Sequence, residues 1–184
     1  MHVSSITESE VRVTLEALVD ISNQLLDRAP ADIRGILADA GFTRAPGASA
    51  ASLERLAHRL AELQALVHEL PDLATDGAVT RVNEELTEIT IEPSVVDHDG
   101  VGPHIHWTPA TATFDDQVIS DVLMALALEL CDHGTSRFGR CGAADCERLF
   151  YDTTRNHSRR FCSDRRCAAR THTADHRARQ RADS

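Results

Sequence analysis

The sequence predicts an α+β chain. A mostly helical N-terminal domain with a small antiparallel sheet spans residues 1–134, and a small cysteine-bearing module that ends in a basic helix spans residues 135–184. Three observations carry this. Apolar residues recur at three- and four-residue steps along most of the first part, the period of a helix with one buried face. The period shortens to two between Glu88 and Trp107, as a half-buried strand requires. Four of the five cysteines lie beyond residue 140, among clustered arginines.

The elements follow in order. Val11, Leu15, Leu18, Val19, Leu25 and Leu26 mark an amphipathic helix over residues 8–28, closed by Pro30. Residues 31–40 fit a short helix ending at Gly41, a residue suited to the left-handed C-terminal cap. The Ala, Pro, Gly and Ser of residues 43–51 read as a loop. Leu53, Leu56, Leu60, Leu63, Val67 and Leu70 form the clearest helical stripe, stopped by Pro71. It spans fewer than three heptads, which favours a buried face over a coiled-coil seam.

Val79–Glu88 is expected to be helical, and the alternation Glu88-Ile89-Thr90-Ile91-Glu92 to be a strand. Val95-Val96 and His104-Ile105-His106-Trp107 are two more strand candidates, with a turn at Asp99-Gly100 between them. Thr113 fits a helix N-cap, with Asp115 and Asp116 in the first turn where carboxylates meet free N–H groups. Ile119, Val122, Leu123, Leu126 and Leu130 give that helix its apolar face, and His133-Gly134 its end. Cys131 on the same helix reads as a small core residue, and Gly134 to Gly139 as a linker.

An apolar content of 42% suits a globular core. No stretch approaches the roughly 20 apolar residues that span a bilayer. The first ten residues have neither a basic start nor an apolar run, so no signal peptide is expected and a cytoplasmic setting is. There an odd count of five cysteines disfavours a disulfide framework.

The net charge of −10 conceals a division. Residues 1–134 hold 7 Arg against 23 Asp and Glu, a balance of −16; residues 135–184 hold 12 Arg against 6, a balance of +6. An acidic body with a basic module suggests a polyanion partner for the module alone. Every basic side chain other than histidine is Arg, with no Lys. A GC-rich genome accounts for that absence but not for the clustering. Guanidinium groups also bind phosphate or guanine with two parallel hydrogen bonds.

Cys141-x4-Cys146 and Cys162-x4-Cys167, separated by fifteen residues, have the spacing of a four-thiolate zinc site. Four protein ligands leave no open position, so one structural zinc is expected. So small a module needs the metal for stability. Two disulfides or free thiols are the alternatives without metal, and His157, between the pairs, is the alternative ligand. Leu149-Phe150-Tyr151 and Arg159-Arg160-Phe161 suggest a hairpin linking the two pairs. Ser163 or Asp164 then caps a final helix; with Asp164 as cap, Cys167 falls at the third helical position. A knuckle, a hairpin and a helix carrying the last ligand form a treble-clef-like arrangement.

Zinc with four thiolates is dianionic, which Arg148 and Arg166 can offset. The wider basic surface points to nucleic acid. Its candidate contacts are Arg155, Arg159 and Arg160 at the hairpin and Arg165, Arg166, Arg170, Arg177, Arg179 and Arg181 on the helix. Few aromatics remain for stacking unpaired bases, which favours duplex DNA over RNA.

Cys141-x4-Cys146, Phe150-Tyr151-Asp152, Arg155-Asn156-x-Ser158-Arg159-Arg160-Phe161-Cys162 and Cys167-Ala168-Ala169-Arg170 together resemble the CGNR zinc finger. Ala168-Ala169 stand where the family motif has Gly-Asn. In bacterial putative stress-induced transcription regulators that finger follows an α/β domain called ABATE, which Arg81-Val82-Asn83 and the strands after it resemble more softly. The resemblance implies one structural zinc on the four cysteines and a DNA-binding transcriptional role.

Other functions leave less trace. No HExxH, phosphate-binding glycine loop or nucleophile elbow is present, so no enzyme is expected. His98, His104 and His106 could gather in the sheet around a second metal or a proton relay. Asn156, His157 and His172 offer a thin match to an HNH-type metal nuclease. The Arg helix could instead dock on an acidic protein partner, or on the chain's own acidic body and so mask itself. A homodimer and a small-molecule effector of the N-terminal domain complete the expected partners.

Overall fold

The structure is a computed structural model, described here for residues 5–26, 32–97 and 102–182. Its elements run α1 (Ser5–Leu26), α2 (Ile33–Asp39), a 3-10 turn (Ala45–Gly47), α3 (Ala50–Glu69), α4 (Thr75–Leu86), β1 (Ser94–Asp97), β2 (Pro103–His106), α5 (Phe114–His133), β3 (Phe138–Arg140), β4 (Leu149–Tyr151) and α6 (Arg165–Ala182). It is the expected α+β arrangement: mostly helical, with two small antiparallel sheets and a basic C-terminal helix. Pro30, His98 and the turn expected at Asp99-Gly100 lie outside the described residues.

The helix α5 is the axle of the body. It packs against α1, α3 and α4. Phe114, Val118, Ile119, Val122, Leu123, Ala125, Leu126 and Leu130 are buried along it, because its apolar residues cover more than one face. Thr113 caps it as the sequence suggests, its hydroxyl accepting from the Asp116 amide at 3.4 Å. At the other end Gly134 takes φ +61, and a Cβ there would come within 2.5 Å of Thr75 Oγ1. Arg55 of α3 reaches Asp115 at 2.8 Å, and Arg59 reaches Asp116 at 2.8 Å. These pairs fix the start of α5 against α3.

Three local expectations change. Glu88–Glu92 forms no strand; it leaves α4 through a turn, with Ile89 resting on the core and only the Glu92 amide reaching Trp107 O at 2.8 Å. Alternation alone could not supply the neighbouring strand that a ladder needs. The helix α4 runs from Thr75 to Leu86, four residues earlier at its start and two at its end than the expected Val79–Glu88. Cys131 is exposed, on the outer side of α5, and is not core.

β1 and β2 pair with Val95 opposite Ile105 and Val96 opposite His104. Val95 is 75% exposed and Ile105 41%, while Val96, His104 and His106 turn inward.

The second sheet begins where a linker was expected. β3 pairs with β4, Phe138 opposite Tyr151 and Arg140 opposite Leu149. The hairpin therefore encloses the first cysteine pair; it does not join the two pairs, and residues 159–161 form no strand. Two cysteines four residues apart need a tight reversal, and the paired strands on either side supply it. Gly139 makes room for the Phe150 ring, which a Cβ would approach to 2.4 Å.

Phe138, Leu149 and Tyr151 join the same apolar cluster as the helices. Asn23 of α1 accepts from the Leu149 amide at 2.7 Å and donates to the Leu149 carbonyl at 3.0 Å, satisfying one edge of β4. Tyr151 donates to buried Glu129 at 2.8 Å. Arg140 pairs with Asp72 and donates to the His68 carbonyl at 2.7 Å. The cysteine-bearing segment is thus held against α1, α5 and the turn after α3.

Candidate metal centre

Local chemistry brings each cysteine to one point. The Cys141 amide donates to the Arg148 carbonyl at 2.9 Å, closing the knuckle, and the Gly142 amide to the Arg160 carbonyl at 2.8 Å. That second bond draws the loop bearing Cys162 against the first pair. Asp164 caps α6, accepting from the Arg166 amide at 2.9 Å. Cys167 then falls at the third helical position, its amide on Asp164 O at 3.0 Å.

All four sulfurs lie within 4.8 Å of one another. Cys146 and Cys162 are 3.9 Å apart, and Cys162 and Cys167 3.7 Å. A tetrahedral zinc with Zn–S near 2.3 Å requires sulfur separations of about 3.8 Å. A disulfide requires about 2.05 Å, and no cysteine is in one. Cys141 and Cys162 are 7% exposed and Cys167 1%.

The donor set needs a cation. Burial, then the three neighbouring thiols, pushes the Cys167 thiol up to about 12. Burial also raises Cys162. Burial opposes ionisation of Cys141 too, but hydrogen bonding outweighs it and its thiol sits below the usual range. Buried thiols that resist losing their protons form a site whose full ionisation a divalent ion would drive. The four cysteines form a single zinc site of the closed, structural kind. His157 is no part of it: the residue is exposed, at φ +48, its ring 6.2 Å from that of His133.

The predicted arginines separate by what they touch. Arg159 is spent on structure: it donates to Phe161 O at 3.0 Å and Tyr151 O at 3.1 Å. Arg170 donates to Cys167 Sγ at 3.4 Å and pairs with Asp145 at 3.1 Å. Arg166 and Arg148 both face Asp164, at 2.8 and 3.7 Å, and hydrogen bonding from Arg166 holds that carboxyl down at about 2. Arg160 lies over the Phe161 ring, and Arg179 donates to Asp175 O at 3.3 Å. Arg155, Arg165, Arg177 and Arg181 are exposed and make no ion pair among the described residues.

Of the polar residues that position the centre, only Asp152 entered the sequence reading, as part of the Phe150-Tyr151-Asp152 segment and without a role. Asp152, 3% exposed, accepts from the Thr154 amide at 2.7 Å and the Arg159 amide at 2.8 Å. Burial opposes its ionisation, but these donors prevail and its carboxyl titrates below the ordinary range. Asn23 and Glu129 act from helices far away in sequence, so no local motif could flag them.

The other clusters stand apart. His104 and His106 lie side by side, their Nε2 atoms 3.2 Å apart. His157 stands beside His133 and His172 edge-on to Phe161. No group of three metal-ligating side chains other than the four cysteines gathers among the described residues. No described helix is long and apolar enough to cross a membrane.

Residues 137–180 match the family model described as the CGNR zinc finger. The match begins at the residue before β3 and runs into α6, taking in both cysteine pairs; residues 1–136 lie outside it. No curated protein matches the chain.

Proposed function

We propose that this chain is a zinc-dependent DNA-binding transcription regulator. The finger contacts duplex DNA and the ABATE-like helical body senses a signal or mediates dimerisation. One observation carries the reading: α6 leaves the zinc site as a helix exposed from His172 to Arg181, with Arg177 and Arg181 presented on one face and Arg165 near its start. A cationic helix with no apolar face gains little from burial in protein and much from phosphate. Arg155 and Arg160, on the loop that precedes Cys162, are exposed and add to the positive charge of the module.

The test is duplex binding by the zinc-loaded chain, followed by fluorescence anisotropy across a salt series. With four or five arginines on phosphates, log affinity should fall against log salt with a slope of about −4. No binding at low salt would overturn the reading. It would favour an acidic protein surface as the partner of α6.

A further inference from the structure

A cleft of about 840 Å³ opens in the helical body, between α1, the turn after α2, the inner face of β2 and α5. It lies within the N-terminal body, among residues that the finger does not use. Its walls are largely apolar and aromatic, with Phe42, Trp107, Phe114 and Val118 prominent. Asp121 of α5 faces into it, and Glu10 of α1 lies at its edge. Asp121 forms no hydrogen bond or ion pair among the described residues. A carboxylate set in a largely apolar wall without a hydrogen-bond donor is costly. An incoming cation would remove that cost, and aromatic rings add to the attraction.

The charges around Asp121 favour the same sign of ligand. Glu10 is acidic. Arg44, the one guanidinium lining the cleft among the described residues, donates to the side-chain oxygen Oε1 of Gln117, one helical turn from Asp121. His104 and His106 of β2 lie against one another. Burial foremost, then Glu10, pushes the Asp121 carboxyl up to about 7, with His104 opposing. The group therefore waits close to its ionisation point. Clefts of this size and lining suit small organic ligands.

We infer that the cleft binds an organic cation carrying aromatic or branched apolar groups, with Asp121 as counter-ion. The inference names a ligand class for the sensing role given to the body and rests on that reading for its biological meaning. Binding itself is measured without DNA, so failure of either is seen separately.

Trp107 is the only tryptophan of the chain and lines the cleft, so its fluorescence reports occupancy. The full-length zinc-loaded protein is titrated with tetraphenylphosphonium and with tetraphenylborate, ions of the same shape and opposite charge. The cation should bind at least about tenfold more tightly, one decade being the scale of a single well-placed charge. Asp121→Asn should abolish that preference by weakening the cation while leaving the borate unchanged or tighter. Because the phosphonium charge does not vary with pH, its affinity should rise between pH 6 and 8. The Asn variant separates the carboxyl from His104 and His106, which face the same cleft. Should Asp121→Asn fold poorly, Glu10→Gln at the exposed rim is expected to lower cation affinity more mildly. Equal affinity for the two ions, preference for the borate, or a cation preference that survives in Asp121→Asn would each overturn the inference, as would absence of any Trp107 response.

Discussion

At the residue scale, two polar side chains show how much one group can decide. Asn23 satisfies both the donor and the acceptor of Leu149 inside the joint between α1 and β4. Its truncation to Ala would orphan two buried backbone groups, at about 1–3 kcal/mol each. Asn23→Ala should therefore cost roughly 2–6 kcal/mol in denaturant unfolding, and Asn23→Asp should be costly too, since its buried carboxylate keeps the acceptor role but faces the Leu149 carbonyl with no donor. A loss under about 0.5 kcal/mol would mean the joint is wet. Asp121 works in the opposite direction. Its ordinary value is 3.8 and its folded value about 7. Between these the unfolded chain releases the proton and the folded chain keeps it, so stability falls as pH rises, by at most about 4 kcal/mol, and the loss is complete above pH 7. Asp121→Asn should be more stable than the parent at pH 8, with the gap closing toward pH 5; a constant gap would show that the carboxyl is ionised throughout. The zinc ligands were legible because metal coordination imposes spacing on the chain itself. Asn23, Glu129 and Asp121 were not, because their roles depend on partners brought up from distant elements. Cys131 misled for the same reason: composition says cysteine is usually buried, and only the rotation of α5 places it outside.

At the scale of elements, the helices and the β1–β2 pair were legible, while the Glu88–Glu92 strand and the β3–β4 hairpin were misread. The helical stripes of α1, α3 and α5 repeat over twenty residues or more, so periodicity accumulates. The strands are three or four residues long. Over so few positions alternation occurs by accident, as at Glu88–Glu92, and is masked by other duties, as at Phe138–Arg140, where the strand is also the approach to the first zinc ligand. That dual role ties metal to fold. Phe138, Leu149 and Tyr151 complete the helical core, while the knuckle between their strands is held by Cys141 and Cys146. Without zinc, four clustered sulfurs and too little apolar surface remain to hold the knuckle. Stripping zinc with a chelator should then lower the melting temperature of the helical body together with the finger, read by circular dichroism as one earlier transition. If the helical signal melts unchanged while the finger alone is lost, the β3–β4 contribution to the core is dispensable.

At the scale of the whole molecule, charge is the organising variable. The body carries −16 and the last fifty residues +6, a division plain in the sequence. The sequence could not show how the positive side divides its labour. Arg170 neutralises Cys167, Arg148 and Arg166 gather at Asp164, and Arg159 braces the loop, so four of the module's arginines serve the zinc centre. Arg177 and Arg181 stand beyond its reach on the exposed end of α6. The two groups should separate by experiment. Replacing Arg177 and Arg181 together with Gln removes two phosphate contacts, so the salt slope of duplex binding should become shallower by about 1.8, with zinc content and melting unchanged. Arg170→Gln should instead leave a thiolate without its donor. Zinc should be lost to a competing chelator at lower concentration, and thiol reagents should react faster, whatever the DNA affinity does. If Arg170→Gln shifts the salt slope and spares zinc retention, the division is wrong, and the guanidinium beside Cys167 belongs to the nucleic-acid surface. If the Arg177, Arg181 pair leaves the slope untouched, α6 does not lie on phosphate, and its exposed charge is matched to an acidic protein.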